Sequence, residues 1–99
     1  MNFREFKSYI SDFLDREKFE DMAREQIKES MQEIEEKKRP NETIIKTNIE
    51  NAWNSLLKRQ YDLVKDSLPK SKVNNYDEWI IKIDELELIS KVNDSFSEI

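Results

Sequence analysis

Paired carboxylates are the side chains of this sequence whose types and spacing suggest chemistry. Glu17 and Glu20 lie three residues apart, as do Glu33 and Glu36, so each pair would share one face of a helix. Helical di-metal proteins use such glutamates together with a histidine three residues away. The chain contains no histidine. We therefore interpret both pairs as ordinary solvent-exposed surface, and we expect no metal ion and no other cofactor.

The composition argues against other kinds of catalysis as well. The 99 residues include neither cysteine nor glycine, which excludes thiolate nucleophiles, disulfides and the glycine-rich loops that bind phosphate groups. Catalysis by carboxylates or lysines alone stays open in principle, but the sequence offers no argument for a pocket. We therefore expect a protein that is not an enzyme, and keep an enzyme without histidine only as a third hypothesis.

The charge of the chain indicates what kind of partner it would bind. Charged residues make up 39% of the sequence, and the net charge at pH 7 is −5. Nucleic acid and anionic membranes repel such a chain, whereas a basic protein attracts it. We expect a basic protein partner, no direct nucleic-acid binding and no membrane association. The absence of cysteine and of an apolar leader at the N-terminus favours a cytoplasmic location.

Apolar residues recur every three or four positions through most of the chain, which predicts helices. The stripe that ends at Leu14 and the stripe that begins at Phe19 would point to different sides of one continuous helix. We therefore predict a break there, with Asp15 as the N-cap of the second helix. Pro40 and Pro69 end later segments. Without glycine, asparagine is expected at chain breaks and left-handed positions; these asparagines are Asn41, Asn74, Asn75 and Asn93.

The predicted fold is all-α, a small four-helix bundle within a single helical domain, residues 1–99. The predicted helices cover residues 2–14, 16–38, 43–67 and 76–92. Two details stay open: where the third helix begins and what form the fourth segment takes. The third helix begins at Asn41 or Thr43, or later, at a capping box from Thr47 to Glu50. The fourth helix is apolar on two faces, or bends near Asp84. Alternatively, residues 79–88 form two strands, because their apolar residues also alternate.

The stretch around Trp79 raises the question of an interaction site. Trp79, Ile80 and Ile81 are three adjacent large apolar residues in a highly charged chain. Trp79 is interpreted either as a core residue or as the centre of a binding site. Ile81 and Ile89 belong, with Leu88 and Val92, to a second apolar face, which we expect to be covered by a second copy of the chain or by a basic partner. The predicted charged rim of this site consists of Asp77, Glu78, Asp84, Glu85 and Glu87.

A second acidic feature lies on the predicted second helix. Asp21, Glu25, Glu29 and Glu33 are spaced by four residues, and we refer to them as the acidic ridge. It is either a docking strip for a basic partner or an ordinary solvent-exposed face.

Two functional hypotheses follow from these patterns. The first is a non-enzymatic acidic protein-binding module that occludes a basic partner, as an inhibitor or an immunity or antitoxin-like protein of bacterial or phage origin would. The alternative is a structural or regulatory helical domain that self-associates, for instance as a homodimer.

Overall fold

The computed structural model describes residues 1–96, and this part of the chain contains five α-helices and one 3₁₀ turn. They are α1 (Phe3–Ser11), α2 (Arg16–Met31), the 3₁₀ turn (Glu36–Lys38), α3 (Glu42–Ser67), α4 (Tyr76–Glu85) and α5 (Leu88–Ser95). The predicted all-α class is confirmed for these residues, although five helices replace the four expected. The alternative of strands at residues 79–88 is wrong, because that stretch consists of the end of α4, a two-residue turn and the first residue of α5.

Side-chain caps start the helices where the sequence indicated. The side chain of Asp15 accepts a hydrogen bond of 3.1 Å from the backbone N–H of Lys18 at the start of α2. Asn41 caps α3 and Asn75 caps α4 in the same way. Each cap satisfies an N–H group that has no partner inside its helix. The later start of α3 at Thr47 is therefore wrong.

The second helix ends earlier than predicted, at Met31 instead of Lys38. Between Met31 and Pro40 the only apolar side chain is Ile34, and it is 39% exposed. Favourable charges at the end of a helix are worth little without a face to bury. The chain therefore leaves the helix, and the guanidinium of Arg39 donates a hydrogen bond of 3.1 Å to the carbonyl of Ile34.

The C-terminal segment bends and forms two helices, as the predicted alternative of a bend near Asp84 stated. Helix α4 ends at Glu85, and α5 begins at Leu88 after a left-handed residue, Glu87, with φ of 50°. The change of direction turns Leu88 and Val92 into the core. The expectation that asparagine would take the left-handed position is wrong, since a glutamate takes it here.

Helix α3 forms the centre of the molecule, and α1, α2 and α4 pack along it. Two aromatic clusters fill the core. In the first, the rings of Tyr61 and Trp79 stack at 5.0 Å, and Phe6 meets both edge-on. In the second, Phe19 of α2 lies 5.0 Å from Trp53 of α3 and 5.4 Å from Phe96 after α5. The clusters join all five helices into one core.

The molecule is elongated because α2 and α3 extend beyond this core. Its dimensions are 54 × 22 × 20 Å, and its radius of gyration of 16.3 Å exceeds the roughly 13 Å typical of a chain this long. The aromatic contacts that α1, α4 and α5 make with α3 involve Trp53 and Tyr61. Further toward the N-terminus of α3, its antiparallel neighbour is α2. We call this two-helix extension, residues 20–52, the arm.

Candidate protein-binding surface

Trp79, which was considered as the centre of a binding site, belongs to the core. Its side chain has an exposed fraction of 0%. Its ring N–H donates a hydrogen bond of 2.6 Å to the carbonyl of Val73, and its ring stacks on Tyr61. Because its apolar and polar atoms are both satisfied within the chain, the partner-binding role predicted for Trp79 is wrong.

The second apolar face of the C-terminal segment is also not present as predicted. Ile81 is 50% exposed, but Ile89 is half-buried against the core, and Leu88 and Val92 are buried. The cause is the bend at Glu87, which points the apolar side of α5 inward. A single exposed isoleucine is normal on a protein surface. The expected apolar centre of an interface here, for a second copy or for a partner, is therefore missing.

The acids predicted to surround that centre remain at the surface. Four of the five are exposed: Asp77, Asp84, Glu85 and Glu87. The carboxylate of Glu85 lies 3.0 Å from the ammonium of Lys82, and that of the half-buried Glu78 lies 3.7 Å from Lys72. Asp84 and Glu87 line a small depression together with Ile83, Leu88 and Ile89, whereas the other three acids do not line it.

The acidic ridge is exposed along its whole length. Asp21, Glu25 and Glu29 lie on one side of α2, and Glu33 lies just beyond the end of that helix. Within residues 1–96, no ion pair involves any of these four carboxylates. Three members of the ridge therefore share a helix face that is open to solvent, while a docking role remains a prediction.

An apolar groove lies between α2 and α3 of the arm, on the opposite side of α2 from the acidic ridge. Its volume is about 430 Å³, within the range of typical ligand sites. The apolar side chains that line it are Ala23, Ile27, Met31, Ile34, Ile49 and Ala52. This groove was not predicted from the sequence, because its shape depends on how two helices pack against each other.

Two alanines explain why the groove is open. Ala23 lies on the apolar stripe of α2, one turn beyond the buried Phe19, and Ala52 precedes the buried Trp53 on α3. An alanine side chain ends at Cβ and fills little of the space between two helices. One signal in the sequence could have indicated this site: an alanine lies in the apolar stripe of each of the two helices.

Ion pairs hold α2 and α3 together along the other side of their contact. Arg16 pairs with Glu20 and with Glu50, and Arg24 lies 2.7 Å from Glu42. The hydrogen bond from Arg24 lowers the pKa of the Glu42 carboxyl. The guanidinium of Arg16 also lies 5.5 Å from the centre of the Trp53 ring. Exposed pairs contribute little energy, so the contact between α2 and α3 depends mainly on apolar packing, with Ile45 and Ile49 of α3 buried and Ile27 of α2 packed against the core.

The lining of the groove is uncharged. Among the residues that the structure describes, no charged side chain lines it. On α2, Glu29 follows the groove-lining Gln26 by three residues, whereas Asp21 and Glu25 lie on the opposite side of the helix. On the α3 edge, Asn48 lines the groove, and Asn51 is its uncharged neighbour.

Comparison of the chain with protein-family models, with curated proteins and with solved structures found no match. The described part of the chain holds no group of three acidic, histidine or cysteine side chains placed to bind a metal ion. None of the helices in residues 1–96 combines the length and the apolar character needed to cross a lipid bilayer.

Proposed function

We propose that the protein is a non-enzymatic acidic module that binds a basic protein partner through its arm. The observation that carries this proposal is the acidic ridge, which is exposed along its whole length on α2, and the open apolar groove on the opposite side of the same helix adds an apolar contact surface. Interfaces typically combine an apolar centre with a polar rim. The apolar centre determines how long a complex lasts, whereas charges at the rim accelerate association and select the partner.

The same features support the more specific idea of an inhibitor or an immunity or antitoxin-like protein in the cytoplasm. A net charge of −5 suits a partner whose own functional surface is basic, such as one that binds nucleic acid. The narrow arm, at the end of a molecule 54 Å long, has the shape to enter a cleft of such a partner. Occlusion of that cleft would inhibit the partner without any chemistry.

Self-association is the second candidate, and one observation favours it. The turn at the end of the arm carries Lys37, Lys38 and Arg39. Two arms lying side by side in opposite directions would bring the basic turn of one copy toward the acidic ridge of the other. This arrangement predicts a dimer at micromolar concentration, which light scattering would detect directly.

The experiment that tests the proposal compares affinity capture from the native cells by three forms of the protein. The ridge variant Glu25→Lys/Glu29→Lys should lose the partner, and retention by the unmodified protein should fall as the salt concentration rises, because the attraction is screened. The control Asp66→Lys/Asp84→Lys makes the same change in net charge at exposed positions outside the arm and should retain the partner. Equal capture by both variants would show that the ridge does not bind it.

A further inference from the structure

We infer that the tip of the arm is a processing site, at which a protease specific for lysine or arginine cuts the chain between α2 and α3. The tip comprises residues 32–39, which follow the end of α2. The inference goes beyond the proposed function and does not depend on it. It follows from the basic residues of the tip, from its exposure and from the few contacts that hold it.

The tip presents three adjacent basic residues outside the α-helices, Lys37, Lys38 and Arg39. Of the 17 lysines and arginines of the chain, 12 lie within α-helices and two lie in the loop before α4, which leaves these three. The bond after Arg39 precedes Pro40, whose ring and missing N–H make that bond a poor substrate. A protease that selects a basic side chain would therefore cut after Lys37 or Lys38. Hydrolysis breaks that amide bond, and water supplies the hydroxyl of the new carboxyl end and the hydrogen of the new amine.

Few contacts hold the tip in its folded conformation. Every residue from 32 to 39 is exposed, and the 3₁₀ turn has no side-chain cap. Among the described residues, the hydrogen bonds of this segment join residues at most five positions apart, such as the bond of 2.8 Å from the N–H of Lys38 to the carbonyl of Glu35. Proteolysis acts on the open form of a segment, and a segment with few buried contacts opens at low cost.

The other basic residues outside the α-helices lie in a loop that the core holds in place. Lys70 and Lys72 belong to the segment between α3 and α4. In that segment Leu68 is buried, and the carbonyl of Val73 accepts a hydrogen bond of 2.6 Å from the ring N–H of Trp79. Because opening this loop would expose part of the core, we expect the tip of the arm to be cut first.

The cut leaves two segments that the core still joins. Helices α1 and α2 lie before the tip, and α3, α4 and α5 lie after it. Phe6 of α1 meets the rings of Tyr61 and Trp79 edge-on, and Phe19 of α2 lies 5.0 Å from Trp53 of α3. The fold then becomes an association of two chains, so its stability depends on their concentration. Cleavage would therefore limit how long the acidic ridge stays on a folded arm at low concentration.

The test is limited proteolysis of the full chain by trypsin, followed by mass spectrometry. The first cut should fall after Lys37 or Lys38. The variant Lys37→Gln/Lys38→Gln/Arg39→Gln should slow the first cut about tenfold or more, because the remaining sites need more of the structure to open. The matched control Lys70→Gln/Lys72→Gln removes the bases of the other loop and should be cut as fast as the unmodified protein. Protein recovered from the native cells should contain the same two fragments.

Thermal unfolding of the cut protein, followed by circular dichroism, tests whether the two segments stay together. A dilution of about a hundredfold should lower the melting temperature of the cut protein by roughly 10–20 °C more than that of the uncut protein. Four outcomes would overturn the inference. They are a first cut outside the tip, equal cutting rates for the tip variant and the unmodified protein, loss of the helical signal on cutting at every concentration, and recovery of the intact chain alone from the native cells.

Discussion

Replacement of Trp53 by alanine gives the sharpest test of the fold. Trp53 is 1% exposed and lies at the point where the arm joins the rest of the molecule. Its ring contacts Phe19 of α2 at 5.0 Å and Phe96 after α5 at 6.2 Å, and the guanidinium of Arg16 lies over it. Truncation to alanine removes the contacts of Trp53 with α2 and with the end of α5 at once.

The expected loss is a large part of the total stability. Replacing a buried tryptophan by alanine costs about 3–5 kcal/mol, while the free energy of unfolding of a domain this size is about 5–15 kcal/mol. Each kcal/mol shifts the melting temperature by about 4–8 °C in such a domain. The melting temperature of Trp53→Ala should therefore fall by about 12–40 °C.

The assay is thermal unfolding followed by far-ultraviolet circular dichroism, supported by urea titration. Leu63→Ala is the control, because Leu63 lies on the same helix and is 50% exposed; its stability should change by about 0.5 kcal/mol or less. If Trp53→Ala melts within a few degrees of the unmodified protein, then Trp53 does not join α2 and α5 to α3, and the packing described above is wrong.

Three further predictions concern local features. Asp15→Ala should lower the free energy of unfolding by about 0.5–2 kcal/mol, because α2 loses its N-cap, and urea titration measures this. Glu87→Gly should leave the stability unchanged or raise it by up to about 1 kcal/mol, since glycine adopts the left-handed conformation without the strain that glutamate incurs there; a clear loss in the same titration would contradict this. The lowered pKa of Glu42 means that its pair with Arg24 contributes stability at neutral pH. That contribution should be lost as the pH falls through the folded-state pKa of Glu42. Glu42→Gln should therefore reduce the loss of stability on acidification, measured by melting temperature against pH.

The beginnings of the helices could be predicted from the sequence because their causes are local. A cap at Asp15, Asn41 or Asn75 needs only a side-chain oxygen within reach of an N–H group a few residues later. The core role of Trp53 was predictable for a similar reason, since it lies on the most regular apolar stripe of the chain. Prolines at 40 and 69 marked where helices cannot continue.

The parts that could not be predicted depend on packing between distant segments. The end of α2 was placed too late because helical propensity and charge favoured helix, while nothing in the pattern showed that Ile34 would find no core to bury it. The bend at Glu87 was one alternative among several, because a left-handed glutamate has no sequence signature. Because of that bend, Ile81 and Ile89 do not form the predicted interface. The groove lies instead between α2 and α3, and the apolar pattern of one helix alone does not predict it.

The acidic ridge has a cost that the other side of the same helix offsets. Asp21 and Glu25, and likewise Glu25 and Glu29, are like charges four residues apart on α2, and each such pair destabilises a helix by a few tenths of a kcal/mol. On the apolar side, Phe19 is buried, and Met22, Ala23, Ile27 and Met31 pack against the core. Because tertiary packing supplies most of the stability of a helix in a protein, α2 can form without a partner that neutralises the ridge. The docking role of the ridge therefore stays a prediction, which the capture experiment with Glu25→Lys/Glu29→Lys tests.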